Sequence, residues 1–253
     1  MVLDFDMKKS KIQFEWDKSA DAWVDFVRTG KDHCRYYMNN PGMFRILGSI
    51  RNKKVLDLGC GEGYNSRIMA KKGGIVIGID FSEKMIEFAR QQEKKDKLGI
   101  KYYICNTTNL AIFKNNTFDI TTSFMSIQDI KNYKGALKEA YRVLKKDGRI
   151  VIGTTHPCFE KTIYRDGKYY RDEQYFKNRA YTLYWKMKRL TKHFITTGFH
   201  RTLTEYANTL FKTGFVISRL LEPKPTKKGL KVHPNLKEQL IFPQSIVIEA
   251  IKR

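Results

Sequence analysis

Residues 55–70 read VLDLGCGEGYNSRIMA. Gly59, Gly61 and Gly63 stand at alternate positions after an apolar run, and Asp57 lies two places ahead of the first. Glycines at a turn permit positive φ and let a ligand approach the backbone closely. Dinucleotide sites use G-x-G-x-x-G to rest a pyrophosphate on a helix N-terminus. The spacing here is G-x-G-x-G, and an acid beside a pyrophosphate repels it. Beside an ammonium group the same acid attracts. Asp57 therefore points to a ligand with a cationic amino-acid end and no phosphates.

A second acid, Asp80, closes the next apolar run, where a carboxylate can accept both hydroxyls of a ribose. An amino acid at one end and a ribose-bearing nucleoside at the other describe S-adenosylmethionine. NAD stays as a minor alternative, because the ribose carboxylate serves either ligand.

Elements must hold these residues at one edge. KVLDLG, IVIGID (75–80), IKYYIC (100–105), FDITTSF (118–124) and RIVIGT (149–154) read as five short strands. Helices alternate with them: one around Ser66 to Lys72, one N-capped by Ser82, and YKGALKEAYRVLKKDG (133–148) ending at Gly148. This rhythm implies right-handed βαβ units and a parallel sheet covered on both faces. Ligands of such sheets bind beyond the carboxyl ends of the strands, where the glycine turn lies. Trp16, Ala20, Trp23, Val24 and Val27 give helical spacing in residues 10–50, with NNPG (39–42) as a break. Residues 156–200 show no clear strand. TLTEYANTLFKTGF gives a further helix, FVISRLLEP a sixth strand and QSIVIEAIK a seventh.

At 253 residues and 42% hydrophobic content the chain can bury a core as one large domain. The N-terminal stretch lacks the basic-then-apolar layout of a secretory signal, and no run reaches the roughly 18 apolar residues of a membrane span. Cys34, Cys60, Cys105 and Cys158 are scattered, as in a reduced, cytoplasmic chain without a zinc site. The net charge of +22 suits RNA, an anionic surface or acidic substrates, or is a lysine-coated surface; it is spread over both halves.

VLDLGCGEG, GIDFSEKMIEFAR, NTFDITTSFMSIQDI and ALKEAYRVLKKDGRIVI resemble, in order, the motifs of class I S-adenosylmethionine-dependent methyltransferases. The likeness runs from about residue 53 to 153 and is greatest to the branch that holds quinone-biosynthesis and other small-molecule enzymes. It implies an α/β, Rossmann-like seven-stranded sheet, last strand antiparallel, with helices on both faces. Residues 1–50 would form a helical cap and 51–253 the methyltransferase domain, with a lid insertion at about 156–200. Asp57, Gly59, Cys60 and Gly61 would hold the methionine part of the cofactor. Asp80 would bind the ribose, Phe81 would flank the adenine, and Asn106 with Thr107 would meet its edge. Ser123 opens the stretch that would run beneath the cofactor, and Arg35 would face its carboxylate.

Methyl transfer from a sulfonium needs chiefly positioning, with at most one base. His156, just past the fifth strand, is the candidate base, with a structural histidine as the alternative. Tyr37, His200 and Arg201 are candidates to contact the acceptor. No metal is expected, since TTSFMSIQD offers only Asp129. The expected function is methyl transfer to an oxygen, nitrogen or carbon of a small aromatic or anionic molecule. An RNA methyltransferase is the alternative, from the basic and aromatic residues at 161–192. A non-enzymatic protein that binds S-adenosylmethionine is a third reading.

Overall fold

The structure, a computed structural model, describes residues 10–159, 163–165, 168–170, 174–186, 190 and 192–253. The remainder of the basic, aromatic stretch at 161–192 lies outside the described residues. Ser10 caps α1 (Lys11–Arg28) by accepting the Gln13 amide at 3.2 Å, and Gly30, at φ 76°, turns the chain away from it. A π-helical turn, Arg35–Asn39, then runs straight into α2 (Asn40–Leu47). The NNPG tetrapeptide thus opens a helix where a break was expected. Pro41 sits in the first turn of α2.

From Lys54 onward strands and helices alternate as expected. β1 (Lys54–Leu58), α3 (Tyr64–Lys71), β2 (Ile75–Asp80), α4 (Glu83–Asp96) and β3 (Lys101–Ile104) come first. β4 (Phe118–Phe124), α5 (Tyr133–Val143) and β5 (Leu144–Thr155) follow. α5 stops at Val143 rather than Gly148, because Leu144 already pairs with Phe118 and Asp147 takes a φ of 59°.

The segment expected to lack strands holds two hairpins. One joins β6 (Ile163–Arg165) to β7 (Lys168–Tyr170), the other β8 (Arg179–Trp185) to β9 (Phe194–His200). In β8 the odd-numbered residues turn inward and the even-numbered ones are exposed, a period of two that a tyrosine- and lysine-rich text conceals. α6 (Leu203–Thr213), β10 (Phe215–Leu221), a short α7 (Lys227–Val232) and β11 (Ser245–Lys252) complete the chain.

Seven strands form one sheet in the order β10-β11-β5-β4-β1-β2-β3, with β11 antiparallel to both neighbours and β1 to β5 paired in parallel. Successive strand residues enter opposite layers. Leu56, Leu58, Ile150, Ile152 and Ile248 pack with α5 and α6, whereas Val55, Val76, Val151 and Val247 pack with α2, α3 and α4. Connections diverge at β1, which has β2 on one side and β4 on the other, so a crevice opens beyond their carboxyl ends.

α1 closes that crevice and is itself held by the second hairpin. The Trp23 ring lies 5.2 Å from that of Trp185, which stacks on Phe194 at 5.4 Å. The Trp185 indole N–H donates to Thr196 at 2.9 Å, and the Thr197 hydroxyl to Glu15 at 3.1 Å. No helix among the described residues is long and apolar enough to cross a membrane.

Phe194→Ala should remove about 3 kcal/mol of packing from this contact. Amide exchange should then accelerate in β8, β9 and α1 while the central strands stay protected.

Candidate active site

The cavity above β1, β2 and β4 encloses about 290 Å³. Its floor is the glycine turn. Gly59, Gly61 and Gly63 have φ of 66°, 55° and 82°, the left-handed region that other residues enter at a cost. A Cβ on Gly59 would lie 2.7 Å from Cβ of Ser126, so the turn and the loop after β4 touch only because that atom is missing. A Cβ on Gly61 would meet no protein atom within 4 Å, so the space in front of this glycine is open to a ligand.

The acids flank that opening. Asp57 is buried, accepting Ser66 Oγ at 2.6 Å and Thr122 Oγ1 at 2.9 Å. Burial pushes its carboxyl up to about 6, partly offset by those two hydroxyls. Asp80 accepts the amides of Gly61 at 2.8 Å and Ser82 at 2.9 Å, and burial likewise raises it to about 6. Both carboxylates sit in little solvent, locked in direction, with a partner-seeking negative charge. The Cys60 thiol is held well above its ordinary value, chiefly by burial and then by the nearby acids, and stays protonated.

Arg35, Phe81, Asn106 and Thr107 line the same cavity. Arg35 gives Nε to Asp32 at 3.0 Å and lies over the Trp23 and Tyr64 rings, while its Nη atoms have no hydrogen bond among the described residues. The Asn106 carbonyl oxygen accepts from the Thr108 amide and hydroxyl, both at 2.9 Å. Its acceptor is therefore spent on a local turn, and the expected acceptance from an adenine edge is not supported by this geometry.

Other expected residues lie elsewhere. Ser123 is buried behind the wall, 2.7 Å from Ser126, and it is Ser126 that lines the cavity and donates to the Leu58 carbonyl at 2.8 Å. Tyr37 packs against Gly229 and His233 beneath α7. The His200 Nε2 lies 2.7 Å from the Tyr175 carbonyl, away from the cavity. Buried Arg201 donates to the carbonyls of Ile127, Ile130 and Lys131 and stacks on Tyr133 at 4.2 Å. It braces the loop after β4 and does not line the cavity.

His156 does not line it either. Its Nδ1 accepts the Cys158 amide at 3.2 Å, which leaves Nε2 to donate to Glu222 at 3.1 Å. Burial lowers its basicity, and both nitrogens are engaged. The geometry gives no support to His156 as the base.

The N-terminal cap and the stretch after β4 supply the remaining wall. Ile12, Trp16, Trp23 and Val27 of α1 line it together with Phe124 at the end of β4 and Met125 and Ile130 of the loop beyond, with Asp129 among them. The helical spacing of the tryptophans signalled burial, and only the docking of α1 shows that they bound a cavity.

The comparisons agree with this geometry. Residues 56–152 match the family profile for a methyltransferase domain. A ubiquinone biosynthesis O-methyltransferase of Pelagibacter ubique is 31% identical over 161 residues, 62% of this chain and 66% of that protein. A demethylmenaquinone methyltransferase of Lactococcus lactis is 36% identical over 137 residues, 52% of each chain. The matches thus span between half and two thirds of these relatives. A solved putative S-adenosylmethionine-dependent methyltransferase of Listeria monocytogenes superposes with a TM-score of 0.70 at 26% identity, over 85% of this chain and 96% of that one.

This chain belongs to the class I S-adenosylmethionine-dependent methyltransferases. The methyltransferase takes S-adenosylmethionine as its cofactor, and the open face of Gly61 between two fixed carboxylates fits that molecule. Among the described residues no group of three or more His, Cys, Asp or Glu is arranged to hold a metal.

Asp57 and Asp80 stand above the ordinary 3.8, so ionising them costs folding stability as pH rises through about 6. A bound cation offsets that cost. Affinity for S-adenosylhomocysteine, which keeps the ammonium and ribose, should therefore fall as pH drops through about 6. Calorimetry in buffers of different ionisation enthalpy should show proton release there and none at alkaline pH. Asp80→Ala should weaken binding by roughly ten- to a hundredfold, the worth of charge-assisted hydrogen bonds at about 1.5–3 kcal/mol.

Proposed function

We propose that this methyltransferase methylates a small molecule built on an aromatic ring, at an oxygen, nitrogen or carbon atom. The observation that carries the reading is the wall opposite the glycine turn, where the rings of Trp16, Trp23 and Phe124 and the side chains of Met125 and Ile130 bound the cavity. Such a wall takes up a flat apolar body by area burial and ring contact. Arg35 and Lys131 at the same cavity are the cations available to an anionic substituent or to the cofactor carboxylate. The Pelagibacter and Lactococcus relatives are named for quinone intermediates, which are rings of this kind.

When bound, S-adenosylmethionine supplies a methyl group on a positively charged sulfur. In this reading Asp80 orients the ribose, and Asp57, beneath the glycine turn, provides the negative field that favours the ammonium. Arg35, which lines the cavity, meets the cofactor carboxylate. α1 and the loop after β4 exclude water from the transfer.

Labelled S-adenosylmethionine incubated with the protein and a host-cell extract should leave label in the small-molecule fraction. Label confined to RNA and released by ribonuclease would overturn the reading in favour of a nucleic-acid acceptor. His156→Ala should leave turnover within about threefold once the variant is kept folded, because its lost hydrogen bonds, each about 1 kcal/mol, concern stability. Its thermal midpoint should fall.

A further inference from the structure

Among the described residues four carboxyl groups line the cavity: Asp57, Glu62, Asp80 and Asp129. Three of them are engaged. Asp57 holds two hydroxyls, Asp80 holds two amides, and Glu62 is clasped by Arg28 at 2.8 Å and Arg67 at 3.0 Å. Asp129 donates its backbone amide to the Ser126 carbonyl at 3.0 Å, but its carboxyl group takes no hydrogen bond among the described residues. It closes a one-turn 3-10 helix, Ile127–Asp129, and its neighbours on the cavity wall are Met125 and Ile130. Asp129 is half-buried on that wall, so its carboxyl oxygens stay available to a molecule bound in the cavity.

The loop that carries it is held with care. Arg201, buried and stacked between Tyr133 and Phe199, donates to the carbonyls of Ile127, Ile130 and Lys131, on both sides of Asp129. Yet no hydrogen bond joins its guanidinium to the carboxyl group. Arg201 thus fixes the loop and lends Asp129 a positive field without occupying its oxygens.

We propose that Asp129 is the proton acceptor of the reaction, and that the methyl acceptor carries an O–H or N–H group on its aromatic body. The inference rests on the reading of the cavity as a small-molecule methylation site, and narrows it. As the methyl carbon bonds to the acceptor oxygen or nitrogen, the carbon–sulfur pair stays on sulfur, and the proton of the attacked group passes to the Asp129 carboxylate. The positive charge that arrives on sulfur leaves as that proton, which Asp129 then yields to water.

The charged groups acting on Asp129 are Arg201, from the segment after β9, and Asp80, at the end of β2; Lys131 lies two residues along the same loop. Burial holds the carboxyl group well above its usual range, with Asp80 adding to the rise and Arg201 opposing it. A base placed there matches a proton donor better than an ordinary surface carboxylate does.

The test begins with labelled S-adenosylmethionine and host-cell extract. If the wild-type protein puts no label into small molecules, the methylation reading itself fails and this proposal with it. Where label appears, Asp129→Asn should cut kcat by about 10²- to 10⁴-fold. Its affinity for S-adenosylhomocysteine should stay within about threefold by calorimetry. The rise of kcat with pH expected of the wild type should be lost. Formate should restore part of the turnover of Asp129→Ala, with both variants first shown to fold by their thermal midpoints. Independently of activity, the infrared band of a protonated carboxyl group should titrate in the protein loaded with S-adenosylhomocysteine and be missing from Asp129→Asn.

Three outcomes would overturn the proposal. Near-wild-type turnover of Asp129→Asn would remove the base. A more than tenfold loss of S-adenosylhomocysteine affinity would make Asp129 a cofactor contact. Wild-type turnover that falls with rising pH would show that the protonated carboxyl group acts as a donor.

Discussion

The bond from the Gly61 amide to Asp80 Oδ2, at 2.8 Å, ties the turn after β1 to the end of β2. Much of the site hangs on this junction. It aims the Asp80 carboxylate across the opening, and it needs Gly61 in the left-handed region, where the amide turns toward the neighbouring strand. The Cys60 amide adds a second tie, donating to the Ile79 carbonyl at 2.9 Å. Ser126 supplies the third side, reaching from the β4 loop to the Leu58 carbonyl through the gap that Gly59 leaves. Parallel pairing of β1 with β2 and β4 sets the coarse distances, and these three contacts set the fine ones.

Two kinds of polar group occur in the cavity, and satisfaction separates them. Asp57 and Glu62 spend their oxygens within the protein and act through shape and field. Asp129 spends nothing among the described residues, and the Nη atoms of Arg35 are likewise without hydrogen bonds there. Both groups line the same cavity, so both stay available to a molecule that enters it.

The glycine turn, the two acids and the seven strands were legible because each obeys a local rule. Positive φ demands glycine, a carboxylate at a strand end has few structural uses, and alternating periods betray strands and helices. What escaped depends on distant partners. His156 resembles a base until Glu222, from the other end of the chain, is seen to hold it. Arg201 resembles a substrate contact until three carbonyls of the β4 loop are found around it. Asn106 resembles an adenine acceptor until its own turn claims its oxygen. The β8–β9 hairpin escaped for a different reason: its inward positions include Arg179 and Tyr181, so a hydropathy reading sees no alternation. Asp129 was visible only as too few carboxylates for a metal. Its isolation is a property of space, and sequence has no sign for it.

The overall charge now reads differently. A protein of net charge +22 takes a cofactor that carries both a sulfonium and an ammonium. Surface lysines act over about 8 Å in physiological salt, so their repulsion is screened outside the cavity. Inside, Asp57, Asp80, Glu62 and Asp129 stand against Arg35 and Lys131, and solvent screens far less. Glu62 is matched by Arg28 and Arg67 and Asp129 lies in the field of Arg201, so Asp57 and Asp80 are the cavity acids without an ion pair among the described residues. Losing the sulfonium charge on transfer weakens the attraction between these carboxylates and the spent cofactor. That change favours release once the methyl group has gone, and it comes from two carboxylates, Asp57 and Asp80, buried beside a positively charged ligand.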